Sequence, residues 1–545
     1  MFDVLPPELV LSILSYLPIR QLQRLCQVSK FWNLFLTTNE EKIYHAAAIL
    51  HGFVPPQTKS LDSIRMPKWL EDVHSWKAFC HKYFKTDRRW EGQEPSYSSH
   101  VGAAGKAVWR FKVDEEQQTV ISTHFDGGLR VSPFESCGSD ILWLLPHSEV
   151  HGYAHVEFTN GFMVFTRRGD AIDVWRRKRD ARNAFRPPTL YNDYIQLRAQ
   201  NIAWQSGLSI SQDDRGAFVP WTTILPSHSI HALRAVNSKL LLASQRVGEA
   251  YVYDLPTGQL LQTIQFRDRE DPLVDVSYVE LGQRHAFICT RSDVLIFPLD
   301  PSSSHVRASL RFPTDVEGLD EVFRQKTYSL KYSDFGEPIY ASTIPRRSNL
   351  VPCVLSRETP DDPVIWHCNA VHVSPCGSHF ITTDGLGNIC IVRDFERALR
   401  EGTSLRDNIT IVNMGFPIMY LAYENDHRIA VYVDDRGVFV LPHIMDVTVS
   451  IDTYTMEPVK DMVVLHARQD LHLGVVQLCS CLQLSRSELW YSWTRMHTRP
   501  GRCHYFTKTS DLELGIANNV LRRIDFSNSS EPQTQPRILN QGSLS

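Results

Sequence analysis

Leu5-Pro6-Pro7-Glu8-Leu9-Val10, Ile13-Leu14-Ser15-Tyr16-Leu17-Pro18 and Val28-Ser29-Lys30-Phe31-Trp32 decide how this chain of 545 residues is organised. Leu9, Ile13 and Leu17 recur every four residues, and Leu25, Val28, Trp32 and Phe35 step by three and four, so each segment reads as an amphipathic helix with one apolar face. Pro6 and Pro7 suit a helix start, and Pro18 punctuates its end. A third helix is expected to open at Thr38, with Glu41 three positions on as a capping box, and to carry Ile43, Ala47 and Leu50 on one side. Roughly forty to fifty residues rarely close a core unaided. The spacing therefore predicts a docking module, completed by a partner that covers Leu5, Leu9, Ile13, Leu14, Leu17 and Leu22.

The same residues resemble an F-box: Leu-Pro-x-Glu-Leu, then Ile-Leu-x-Tyr-Leu-Pro, then Val-Ser-x-x-Trp, with Phe31 where a basic residue is common. The resemblance, to fungal-type F-box/WD-repeat proteins, implies docking on the Skp adaptor and through it on cullin. It assigns that contact to Leu5, Pro6, Leu9, Ile13, Leu14, Leu17, Pro18, Leu22, Leu25, Val28 and Trp32. The chain would then be the substrate receptor of a Skp–cullin–F-box ubiquitin ligase.

Composition narrows the class. Hydrophobic residues make up 43%, enough for sizeable cores, and the net charge is -4 from 57 basic and 61 acidic residues. Such a balance gives no global field for nucleic acid or anionic membrane. No basic leader opens the sequence, and no apolar run approaches the roughly eighteen residues that span a bilayer. Eleven cysteines in this setting read as reduced thiols, which places the chain in the cytosol, the nucleus or both.

Pro55-Pro56-Gln57-Thr58-Lys59-Ser60 ends the first module, 1–52. Trp69, Val73, Trp76, Cys80 and Tyr83 then fall at helical spacing, with Pro67 in the first turn, so a helix is expected over about 67–86 within a linker, 53–100. Ser75-Trp76-Lys77-Ala78-Phe79, Phe84 and Arg89-Trp90-Glu91-Gly92 are similar to the segment joining F-box to propeller in F-box/WD-repeat proteins. A stiff helical joint would fix the distance between adaptor and substrate-binding face.

From about Val101 the period changes. Gly161 to Thr166 with Ala171 to Trp175, and Leu240 to Ser244 with Ala250 to Asp254 and a turn through Pro256-Thr257-Gly258, are strand, turn, strand units. The grammar returns at 286–300, 370–395, 418–441, 461–493 and weakly at 512–526. Units spaced by about forty to sixty residues, with Val-Trp, Tyr-Asp and Arg-Asp ending third strands, resemble degenerate WD repeats. The expected fold is therefore multidomain, α plus all-β: a three-helix F-box, a helical linker, and a WD-repeat-like β-propeller over 101–527 with seven blades, or eight. A β-sandwich would alternate too, but without a recurring four-strand order. Insertions are expected near 180–220 and 313–365, and a disordered tail over 528–545.

In that register the turns between second and third strands share one rim. They hold Arg167 and Arg168, Arg246, Arg291 and Arg436, candidate substrate-binding residues for a client that is phosphorylated or not. Each charged hydrogen bond to a phosphate would contribute about 1.5–3 kcal/mol. Asp170, Asp293, Asp434 and Asp435 stand beside these arginines and oppose phosphate, so solvated turns are the competing interpretation. Arg176-Arg177-Lys178-Arg179 with Arg182 follows a third strand, leaves on the opposite rim and reads as a solvated loop, or else as a nuclear-targeting or acidic-partner patch.

Cys479-Ser480-Cys481 and the group His367, Cys368, His372 and Cys376 lack the paired spacing of a zinc site, so no metal and no cofactor are expected. No phosphate-binding glycine loop, nucleophile elbow or zinc-protease helix occurs in the sequence. A non-catalytic receptor is expected, with a non-ligase interaction scaffold as the alternative and a propeller enzyme as a third class.

Overall fold

Pro7 and Glu8 sit at the start of the first helix, where a missing N–H costs nothing and a carboxylate faces the positive helix end. The computed structural model describes residues 5–64, 66–94, 96–102, 107–134, 141–167, 170–181, 214–266, 276–290, 293–300, 308–311, 327–330, 346–352, 368–374, 376–384, 387–424, 428–433, 437–442, 459–467, 475–497 and 515–527. The chain divides into two units, Met1–Tyr97 with Ile524–Ser545, and Ser98–Arg523.

The N-terminal unit contains helices α1 (Pro7–Leu14), α2 (Ile19–Leu25), α3 (Lys30–Thr38), α4 (Glu40–Leu50) and α5 (Trp76–Trp90). The stretch expected as one second helix is two. Ser29 is extended and its hydroxyl accepts from the Trp32 N–H at 3.2 Å, capping α3 and breaking the run from Leu25 to Phe35. Ser29→Ala is expected to cost about 1 kcal/mol, read as a lower urea midpoint for the helical unit. The capping box at Thr38 does not form. Thr38 is the last residue of α3, and the Asn39 amide that follows donates to the Phe35 carbonyl at 3.0 Å, closing α3 rather than opening α4.

Pro67 heads only a short 3-10 turn, Lys68–Leu70, and α5 starts nine positions later than its neighbouring proline suggests, capped by Ser75. α5 buries Trp76, Phe79 and Cys80 in the same core as Val10, Leu14, Ile19, Leu22, Ile43 and Tyr44. The expected division at residue 52 is thus one of sequence pattern, with no separate core behind it. Phe526 also joins this unit: its ring stacks on Trp90 at 3.5 Å, and its carbonyl accepts from Arg89 Nη1 at 2.8 Å.

In the second unit the described strands form seven blades, each inner strand packed on the next around a ring. The inner strands are Val108–Asp114, Val156–Thr159, Ala232–Val236, Val276–Leu281, Cys368–Val373, Ile418–Tyr423, and, in blade 7, Val475–Leu478 with Leu482–Leu484. The last blade takes its second and third strands from Glu488–His497 and Gly515–Asp525, and its outer strand from Tyr97–Gly102 at the other end of the sequence. Closing the last blade with a strand distant in sequence ties the two ends of the ring together in one sheet. The unit expected at 512–526 is therefore part of this blade, and blade 1 lies at 108–145, where no unit had been singled out.

Three expectations change here. The first insertion ends before Phe218–Ile224, which is the outer strand of blade 2. The stretch 313–365 contributes strands Thr327–Leu330 and Arg346–Pro352, which bridge the outer strands of blades 5 and 6. And the basic run is only partly solvated: Arg177 is buried and pairs with both oxygens of Asp114 at 2.7 Å and with Glu116 at 2.6 Å, while Lys178 and Arg179, both still well exposed, pair with Asp214 at 2.6 Å and with Glu116. The Arg177 and Arg179 pairs strap blade 2 to Asp114 and Glu116 of blade 1. Arg168, Arg182, His367, Arg291 and Arg436, and the tail over 528–545, lie outside the described residues.

A belt of charge runs around the inner strands. Lys112 pairs with Glu157 at 2.9 Å, Glu157 with Arg234 at 3.2 Å, Arg234 with Glu280 at 2.8 Å, Glu280 with His372 at 2.7 Å, and His372 Nε2 reaches the Leu421 carbonyl at 3.1 Å. Burial alone would raise the Glu280 carboxyl, but Arg234 and His372 hold it down to about 2. His372, set in a metal-free cluster by its sequence context, thus belongs to this belt, and Cys368 packs its sulfur 2.6 Å from that of Cys289.

Candidate functional site

The large apolar side chains that the core of the N-terminal unit leaves uncovered lie on α1, on α3 and in the segments beside them. α1 is apolar on two sides, and only one can turn inward: Val10 and Leu14 are 2% exposed, which pushes Leu9 (52%) and Ile13 (43%) to the surface. Leu5, Val28, Phe31 and Leu34 are exposed as well, and Tyr16 stands out at 75%. Phe31, Trp32 and Phe35 touch one another within 6.1 Å and stiffen the α3 side of the patch.

The candidate adaptor residues thus separate. Leu14 and Leu22 are 2% and 0% exposed and cannot meet a partner; both are committed to the core with Ile43 and Phe79. Leu17, Leu25 and Trp32 are half-buried against that core, while Leu5, Pro6, Leu9, Ile13, Pro18 and Val28 are exposed. Tyr16, Phe31 and Leu34 were missed. The signal for them was available: large apolar side chains at i, i+3 positions flanking Val28 and Ile13. Seven exposed large apolar side chains within residues 5–34 mark an interaction surface rather than scattered surface residues.

On the propeller, the turns between second and third strands fall at equivalent places in successive blades. Arg167 does not point free from its turn: its guanidinium lies 3.7 Å from Asp173, a carboxylate 2% exposed on the next strand. Arg246 also has partners of its own. The expected arginine ring therefore has two described members, and Arg167 already has a carboxylate to satisfy.

No group of three or more metal-ligating side chains occurs among the described residues. No helix among them is long and apolar enough to cross a membrane. Residues 2–41 match a family model described as F-box-like. No curated protein matches the chain. The N-terminal helices are an F-box-like domain, and the chain joins it to a seven-bladed β-propeller.

Proposed function

We propose that this chain is a substrate receptor of a Skp–cullin–F-box ubiquitin ligase, acting in the cytosol or nucleus. The F-box-like helices dock on the Skp adaptor through Leu5, Leu9, Ile13, Tyr16, Val28, Phe31 and Leu34, and the propeller holds a client protein. The observation that carries this is the set of exposed large apolar side chains on and beside α1 and α3, on a unit whose core is built without them. Covering a half-exposed leucine is worth roughly 1 kcal/mol, so these residues supply an apolar share of the binding energy that further contacts must supplement to meet association costs of about 4–15 kcal/mol.

The receptor does no covalent chemistry in this account. It raises the effective concentration of client lysines beside a charged conjugating enzyme, which other subunits recruit. An F-box-like domain joined to a propeller also suits a scaffold that binds the adaptor without cullin. Affinity purification with the proteasome blocked separates the two. Co-purified adaptor and cullin, with clients that accumulate and carry ubiquitin only when the F-box face is intact, support the receptor; adaptor without cullin and without client turnover selects the scaffold.

A further inference from the structure

Cys289, on the second strand of blade 4, and Cys368, first in the inner strand of blade 5, meet across the seam between the two blades with their sulfurs 2.6 Å apart. Carbon atoms in contact settle about 3.5–4.0 Å apart and sulfur is the larger atom, so two separate thiols do not rest this close. A disulfide, at about 2.0 Å, needs only a short further approach.

A disulfide also asks that the two backbones lie close together. A bulge sees to that. The inner strands of blades 1, 4, 5 and 6 each carry one residue with none opposite it, Trp109, Ser277, Asn369 and Met419, and a bulge re-aims its side chain. Ser277 sends its hydroxyl to the Cys368 carbonyl, and the same oxygen lies 3.4 Å from the Cys289 carbonyl. One hydroxyl thus reaches both cysteine backbones. Thr382 Oγ1, 3.2 Å from the Cys368 sulfur, holds that side chain from within blade 5. Two more contacts cross the seam and fix its register: Glu280 with His372 at 2.7 Å, and the edge-on rings of Tyr278 and His372 at 5.5 Å.

The pair also stands at the foot of a long excursion of the chain. Between the two cysteines run the last strands of blade 4, Asp293–Pro298 and Ala308–Arg311, and then Thr327–Leu330 and Arg346–Pro352, which bridge blades 5 and 6. A bond here would close a loop of about eighty residues, and the constraint that a cross-link places on the unfolded chain grows with loop length.

We propose that Cys289 and Cys368 are a disulfide site, a covalent lock between blades 4 and 5 that hydrogen peroxide closes. One thiol takes an oxygen from the peroxide and becomes a sulfenic acid, releasing a water; the other attacks that sulfur and the oxygen leaves as a second water. Two S–H bonds are thereby exchanged for one S–S bond, and the two electrons and two protons given up reduce the peroxide. This sets the pair apart from the reduced state that composition implies for the cysteines as a whole.

Both cysteines are 0% exposed, and burial beside Cys368 pushes the Cys289 thiol well above its ordinary value. Little thiolate forms in the closed fold, so the lock is set when the seam opens, in folding or in local unfolding, and is afterwards shielded from small thiols.

The test takes the full chain, reduced and desalted, and exposes it to hydrogen peroxide with and without sub-denaturing urea. Remaining thiols are capped with N-ethylmaleimide, and the chain is digested without reductant. Mass spectrometry is expected to find a peptide pair joining Cys289 to Cys368, two hydrogen masses lighter than its separate halves, forming faster with urea. Oxidation should raise the thermal midpoint of the chain by about 5 °C or more, and should not raise that of Cys289→Ala or Cys368→Ala. Should either variant fail to fold, the linked peptide and the shift of the unaltered chain decide. Absence of the link with and without urea, equal linkage to the buried Cys390 or the exposed Cys376, or a linked chain that melts no higher than the reduced one overturns the lock.

Discussion

Leu9→Asp combined with Ile13→Asp is expected to abolish capture of a purified Skp adaptor while leaving the thermal unfolding of the chain unchanged. Both side chains are about half exposed, so the free protein loses little when they become charged. In a complex each would be an uncompensated charge in an apolar contact, a cost of about 3–5 kcal/mol apiece, and hence at least a hundredfold in affinity for one and no detectable binding for two. Leu14→Asp is the contrasting control, since at 2% exposure it should unfold the helical unit and remove binding for a different reason. Adaptor capture by the folded double variant would end the assignment of this face.

That contrast shows where the sequence was legible. Apolar spacing located α1, but Leu9, Val10, Leu11, Ile13 and Leu14 offer two apolar sides, and periodicity does not say which turns inward. Only packing against α4 and α5 settles it, with Val10 and Leu14 inside. The break at Ser29 was readable as a cap, yet the apolar steps run straight across it. Strand, turn, strand grammar found most blades because it is local. Blade 7 was split because its outer strand, Tyr97–Gly102, is distant in sequence from the strands it joins, and blade 1 went unmarked. The bulges at Trp109 and Met419 carry no sequence signature at all; they are defined by the strand opposite. Arg177 was misread for the same reason, its partners Asp114 and Glu116 arriving from another blade.

Arg177→Met follows from that last point and is expected to be the most destabilising single change in the propeller. Asp114 would be left 1% exposed without its bidentate partner, and breaking a buried pair from one side costs about 3–5 kcal/mol. The pair itself is a poor source of stability. Burial pushes the Asp114 carboxyl up although Arg177 pulls it down, so the folded protein holds this proton more tightly than the unfolded chain does. The carboxyl's contribution is then greatest below its unfolded value and is lost as the pH rises through the folded one, so at neutral pH its ionised form is a net cost. Replacing both partners, Arg177→Met with Asp114→Leu, should therefore recover most of the loss in a urea titration at neutral pH, and the single variant should regain part of it as the pH is lowered and Asp114 takes up a proton. A double variant no more stable than Arg177→Met would show that the strap between blades 1 and 2 depends on Glu116 and Asp180 rather than on this pair.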